Sequence, residues 1–220
     1  MDRILVINPN STEAVTKGID EAMAALRIPG GPAIDCMTLK EGPPGIETQQ
    51  HVDGVIPHLL RLVREREADY SAFVIACYSD PGLHSVREAT AKPVLGISEC
   101  GILTALTLGQ KFGVIAILQK SIPRHLRYMG AMGVMDRLAA ELPVGLAVTE
   151  LSDEKKTFGR MVDVATALRD VHGANVIVMG CAGMARYRKP LQDALGLPVV
   201  EPSQAAVGMA IARVRLGWSA

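Results

Sequence analysis

One strand-and-turn unit occurs twice in this chain, and no other feature narrows its possible folds as far. Phe73-Val74-Ile75-Ala76-Cys77 aligns on Ile177-Val178-Met179-Gly180-Cys181 at an offset of 104 residues, close to half of the 220. The match carries on downstream. Sixteen residues past Cys77 comes Pro93-Val94, and seventeen past Cys181 comes Pro198-Val199. Glu99 and Glu201 follow closely, and Ala- and Gly-rich helical segments start at about 101 and 203. A chain built this way is expected to form two related α/β lobes, each with one cysteine at the carboxyl end of a strand. The expected boundaries are 1–97 plus about 206–220 for the first lobe and about 98–205 for the second.

Short Val- and Ile-rich runs alternate with longer segments of helical period, which predicts mostly parallel sheets flanked by helices. The candidate strands are 3–8, 34–38, 72–77, 93–97, 112–118, 144–149, 175–180 and 198–200. Val52, Val55, Ile56, Leu59, Leu60 and Val63 form a stripe that must face a sheet, as do Phe158, Met161, Val162, Ala165 and Leu168. A first helix carries Val15, Ile19, Ala22, Met23 and Leu26, with Asn10 and Glu13 placed as a capping-box variant.

Composition excludes several classes. There are 23 Lys plus Arg against 23 Asp plus Glu, so no basic excess offers itself to nucleic acid. Aromatics make up 4% of the chain, too few for base-stacking platforms. The 49% hydrophobic content is that of a folded domain and not of a disordered one. No apolar run is long enough to span a membrane, and Met1-Asp2-Arg3-Ile4 leads into a strand without a signal-peptide pattern, so a cytoplasmic address is expected. Neither a phosphate-binding P-loop nor a dinucleotide fingerprint is present.

The chemistry is expected at the carboxyl ends of strands. Cys77 and Cys181 fall there, each followed by a tight turn, Ser79-Asp80-Pro81-Gly82 and Ala182-Gly183-Met184. Helix starts at these turns would favour an anion and lower a neighbouring thiol's pKa. A free cysteine also serves as a small core hydrophobe, the reading that suits Cys36 and Cys100. With no C-x-x-C pair, neither a zinc site nor a redox dithiol is indicated. Two thiols facing each other across a cleft suit inversion of a stereocentre, where a base removes a proton from one face and an acid returns one to the other. Asn8 and Asn10, at the end of the first strand, either bind a polar substrate or only turn and cap the chain. His51, His58, His84, His125 and His172 show no ligand spacing, and Arg124, His125 and Arg127 form a basic cluster with acids nearby. No metal is expected.

Four segments carry a family resemblance: Ile4 to Ser11, Ala76 to Leu83, Pro93 to Ile97 and Gly180 to Ala185. In these the chain resembles the aspartate/glutamate racemase superfamily, and within it the hydantoin and allantoin racemase branch. The resemblance implies a cofactor-independent racemase of two lobes, Cys77 and Cys181 as its acid/base pair, and Asn10, Ser79 and Gly183 as holders of ring carbonyls, so that the candidate substrate-binding residues are Asn8, Asn10, Ser79, Asp80, Ala182 and Gly183. It also implies a homo-oligomer acting on a small molecule. Free amino acid racemases of the superfamily show Asn-Thr after the first cysteine and Thr-His after the second, where this chain has Tyr78-Ser79 and Ala182-Gly183. Arylmalonate decarboxylases keep only the second cysteine. Those two activities, a cis-trans isomerase and a two-lobed non-catalytic binding protein are the alternatives.

Overall fold

The computed structural model describes residues 2–218 and contains two four-stranded parallel sheets. The first comprises β1 (Arg3–Asn8), β2 (Ala33–Thr38), β3 (Ala72–Ile75) and β4 (Val94–Gly96), in the order β2-β1-β3-β4. The second comprises β5 (Phe112–Ala116), β6 (Leu138–Pro143), β7 (Val176–Met179) and β8 (Val199–Val200), in the order β6-β5-β7-β8. The two orders are the same, and β3 and β7 are the repeated strands. The central strands read as unbroken apolar runs because both faces of each sheet are covered. Ile4, Val6 and Val74 enter one core while Leu5, Ile7, Phe73 and Ile75 enter the one opposite. In the second sheet Ile115, Ile177 and Met179 separate in the same way from Val114, Val176 and Val178. Phe73 and Phe112 are almost wholly buried, each contributing ~2 to 3 kcal/mol by removal from water.

The helices are α1 (Glu13–Ala22), α2 (Gln49–Gly54), α3 (Ile56–Arg66), α4 (Leu83–Ala89), α5 (Ile97–Leu108), α6 (Ile122–Ala131), α7 (Glu154–Asp170), α8 (Arg188–Leu195) and α9 (Pro202–Leu216). Two of them cross over. Helix α5 follows β4 but also packs on β5, β7 and β8, whereas α9 follows β8 and packs on β1, β3 and β4. The two helices lie against each other, close enough that a Cβ on Gly101 would stand 2.9 Å from Pro202 Cβ. Among the described residues no helix is long and apolar enough to cross a membrane, and no group of His, Cys, Asp and Glu could hold a metal ion.

Three expectations need correction. The sixth strand runs over Leu138–Pro143 and not 144–149. It is a half-buried edge strand made of helix-favouring Leu, Ala and Glu, while Val144 and Gly145 only continue its hydrogen bonding to Ala116 and Ile117 as a loop. The stripe from Val52 to Val63 is divided between α2 and α3, because Pro57 supplies no N–H to a helix running through. No capping box forms at α1. Its N-cap is Thr12, and Asn10 instead accepts the Thr12 N–H at 3.0 Å in a local turn.

Candidate active site

Strands β3 and β7 end in matching turns. Asp80 N–H bonds to the Cys77 carbonyl at 2.9 Å, and Met184 N–H to the Cys181 carbonyl at 3.1 Å. In each turn the N–H two residues on, from Ser79 or Gly183, donates to the thiol. Both cysteines are half-buried and line one cavity of about 390 Å³. Asn10, Ser79, Ala182 and Gly183 line it as well. The cavity thus gathers six of the eight residues read from the sequence.

Asn8 and Asp80 are left out of it. Asn8 is 1% exposed and its amide holds the loop after β1, donating to Asn10 Oδ1 and Thr16 Oγ1, both at 3.0 Å. With Asn10 Oδ1 taken up by Asn8 and Thr12, its amide nitrogen is what Asn10 can offer a ligand. Asp80 turns inward under Cys77 and caps α5, accepting the Ser98 and Glu99 N–H groups at 2.9 and 2.8 Å. It adopts φ 41°, the one positive value outside glycine among the described residues. Burial raises its pKa to about 7 against the pull of those two N–H donors. Position 184 of the second half is Met, which cannot cap, and α9 is capped instead by Glu201 through Ser203 N–H and Gln204 N–H.

The thiols are not acidified as helix starts alone would suggest. Burial raises Cys77 to about 11 and Cys181 to about 12, more than the turn N–H groups lower them. Pro81 and Gly82 delay α4 until Leu83, and Cys181 opens only a short 3₁₀ segment over Ala182–Tyr187, so no long dipole bears on either sulfur. Cys100 is 2% exposed in the core as expected, and Cys36 packs half-buried against the same core.

Sequence reasoning missed one wall of the cavity. Ser121, Arg124 and His125, at the start of α6, all line it and are 1%, 9% and 4% exposed. Arg124 Nε donates to Ser79 Oγ at 2.9 Å. His125 Nδ1 lies 2.5 Å from Glu141 Oε1, its Nε2 lies 3.4 Å from Ser79 Oγ, and its ring meets Tyr78 edge-on. Among the described residues the Ser121 hydroxyl has no partner, which leaves a buried donor and acceptor at the cavity wall. A signal was present: Ile122, His125 and Met129 share the i, i+3, i+7 face that packs inward, so His125 sits where an apolar residue belongs.

A second hollow of about 560 Å³ adjoins the first, with Val15, Val148 and Gly183 common to both. Ala14, Gly18 and Leu151 make its remaining apolar wall, and Arg186 at its edge is paired with Glu154 at 2.7 Å.

Known proteins resemble the chain over nearly its whole length. Residues 4–210 match the profile of the Asp/Glu/Hydantoin racemase family. The chain is 35% identical over 220 residues to a hydantoin racemase of Paenarthrobacter aurescens, covering 98% of this chain and 92% of that one. An allantoin racemase from Pseudomonas fluorescens superposes with a TM-score of 0.92 at 30% identity, covering 99% and 92% of the two chains. One from Klebsiella pneumoniae gives 0.90 at 31%, covering 100% and 90%.

Proposed function

Since the chain belongs to the Asp/Glu/Hydantoin racemase family, we propose that it is a cofactor-independent racemase of 5-substituted hydantoins or allantoin-like ureides, with Cys77 and Cys181 as its acid/base pair. The observation that carries this reading is the placement of two half-buried thiols, one from each half of a repeated fold, in one cavity.

The hydrogen at C5 of a hydantoin is acidic because the carbanion left behind spreads its charge onto the adjacent ring carbonyl oxygen. A thiolate on one face removes it, and a thiol on the other delivers a proton to the opposite face. For the mirror-image substrate the two exchange roles. The developing enolate oxygen needs donors, and the cavity offers Ser121 Oγ and the Asn10 amide nitrogen. A well-placed donor in an acyl-transfer site is worth ~3 to 4 kcal/mol of barrier. The substituent at C5 has the adjoining hollow to occupy. Its apolar wall suits an alkyl or aryl group.

The test uses enantiopure 5-benzylhydantoin in D2O. The parent should lose optical rotation while C5 takes up deuterium, and Cys77→Ser and Cys181→Ser should each racemise at least ~100-fold more slowly. Undiminished rates in both variants would refute the two-thiol mechanism. Carbon dioxide release from an arylmalonate without hydantoin racemisation would indicate a decarboxylase, and binding with no turnover a binding protein.

A further inference from the structure

The repeat makes the two cysteines equivalent in backbone, yet their surroundings are chemically unequal. We infer that Cys77 is the thiol of the pair that ionises first, and that Ser79 and Arg124 are the positioning residues that hold the negative charge on it. This deepens the two-thiol reading above and rests on it.

Arg124 is the first observation. The residue is 9% exposed, and among the described residues it has no carboxylate within ion-pair distance. Its one described hydrogen bond goes to the neutral hydroxyl of Ser79. A buried cation without a counterion is costly. After burial itself, the largest influence on Arg124 is its attraction to Cys77, so a Cys77 thiolate is the anion that completes it.

Ser79 is the second. Its oxygen accepts from Arg124 Nε, and its hydroxyl bonds to the Cys77 thiol alongside its own backbone N–H. His125 backs the same oxygen, held in place by Glu141 on one side and the Tyr78 ring on another. An alcohol whose oxygen is taken up by a cation is a better donor to sulfur.

Cys181 has neither partner. The residue two positions on is Gly183, which offers an N–H and no hydroxyl, and the charges that bear on Cys181 are those of Cys77, Glu201 and Glu47. Glu47 lies on its side of the cavity with Oε1 on Val148 N–H and Oε2 on Lys120. The groups that face Cys77 are Asp80 from beneath, Arg124 and His125 from α6, Glu141 behind His125, and Cys181 across the cavity. Arg124 is the permanent cation among them, and its charge lowers the pKa of the Cys77 thiol. A second thiolate would repel the first, so the resting pair carries one negative charge at most.

The test reads thiol chemistry and not turnover, which separates it from the racemase reading. The full chain is exposed to limiting iodoacetamide across pH 7 to 10, and each of the four cysteines is followed by mass spectrometry. Cys77 should be alkylated at least ~10-fold faster than Cys181, in proportion to its thiolate fraction. Arg124→Gln and Ser79→Ala should each slow Cys77 at least ~5-fold and move its rate profile to higher pH, leave Cys181 no slower, and Arg124→Lys should recover part of the loss. Cys36 and Cys100 report on folding, because loss of structure would expose both. Faster alkylation of Cys181 in the parent would overturn the inference, as would an unmoved Cys77 profile in folded Arg124→Gln. A Cys77-first ranking in a protein that racemises no hydantoin would support the thiol assignment and sink the proposed function alone.

Discussion

Thiols with pKa values of about 11 and 12 act as bases only through a small ionised fraction. At pH 8 a group of pKa 11 is ionised to about one part in a thousand, and the fraction grows tenfold with each pH unit. Racemisation of an enantiopure hydantoin, corrected for the spontaneous rate, should therefore rise about tenfold per unit between pH 7 and 9. A plateau below pH 8 would mean that the thiols are far more acidic than their burial implies. Asp80 has the opposite consequence, for stability. A carboxyl raised from 3.8 to about 7 favours the folded state fully below its unfolded value, and that contribution is lost as pH rises through about 7. The urea midpoint of the parent should thus fall between pH 4 and 7 by an amount that Asp80→Asn, which cannot titrate and keeps an acceptor for one of the two N–H groups, removes. At this scale the cysteines and Asn10 were legible because the repeat and the strand ends mark them. Asp80 was found but given the wrong partner, since nothing local in Tyr78-Ser79-Asp80-Pro81 shows that the carboxyl reaches a helix starting 17 residues later. Gly96 makes that reach possible, as a Cβ there would lie 2.3 Å from the Asp80 carboxyl.

Elements were legible where their residues satisfy one environment. β1, β3 and β7 are buried on both faces and spell it in Val and Ile. β6 is an edge strand whose Glu141 turns inward to hold His125, so its composition answers to the site and not to the sheet. Helix α1 lends itself to a test of the adjoining hollow. Gly18 lies on its hollow-facing side, and a Cβ there would meet only Arg186 Nη2 at 3.9 Å. Gly18→Leu should fill the hollow while adding ~1 kcal/mol of helix propensity, so folding is not at risk. The ratio of kcat/KM for 5-benzylhydantoin to that for 5-methylhydantoin should drop at least ~10-fold, with Gly18→Ala in between. An unchanged ratio would show that the substituent lies elsewhere.

At the scale of the molecule, the repeat gives two sheets of one topology, and the crossing of α5 and α9 decides how they are joined. The duplication was readable at a spacing of 104 residues, and the expected boundaries already returned the chain to the first lobe at about 206; the side of β4 and β8 on which each helix leaves is what no residue type encodes. Gly101 lies at the contact of the two helices, where an added methyl has no room against Pro202. Gly208, in α9, has nothing within 4 Å of where its Cβ would be. The same kind of change should therefore have opposite signs at the two positions. Gly208→Ala should stabilise by up to ~1 kcal/mol through helix propensity. Gly101→Val should cost ~1 to 3 kcal/mol by wedging the helices apart. Because each helix also packs on the strands that end in Cys77 or Cys181, the wedge shifts one thiol relative to the other. Turnover of Gly101→Val, measured where urea titration shows it fully folded, should then fall at least ~10-fold, since an ångström of misplacement is felt directly in proton transfer. If it kept parental turnover while losing stability, the helix contact would serve only to join the halves and not to set the thiols across the substrate.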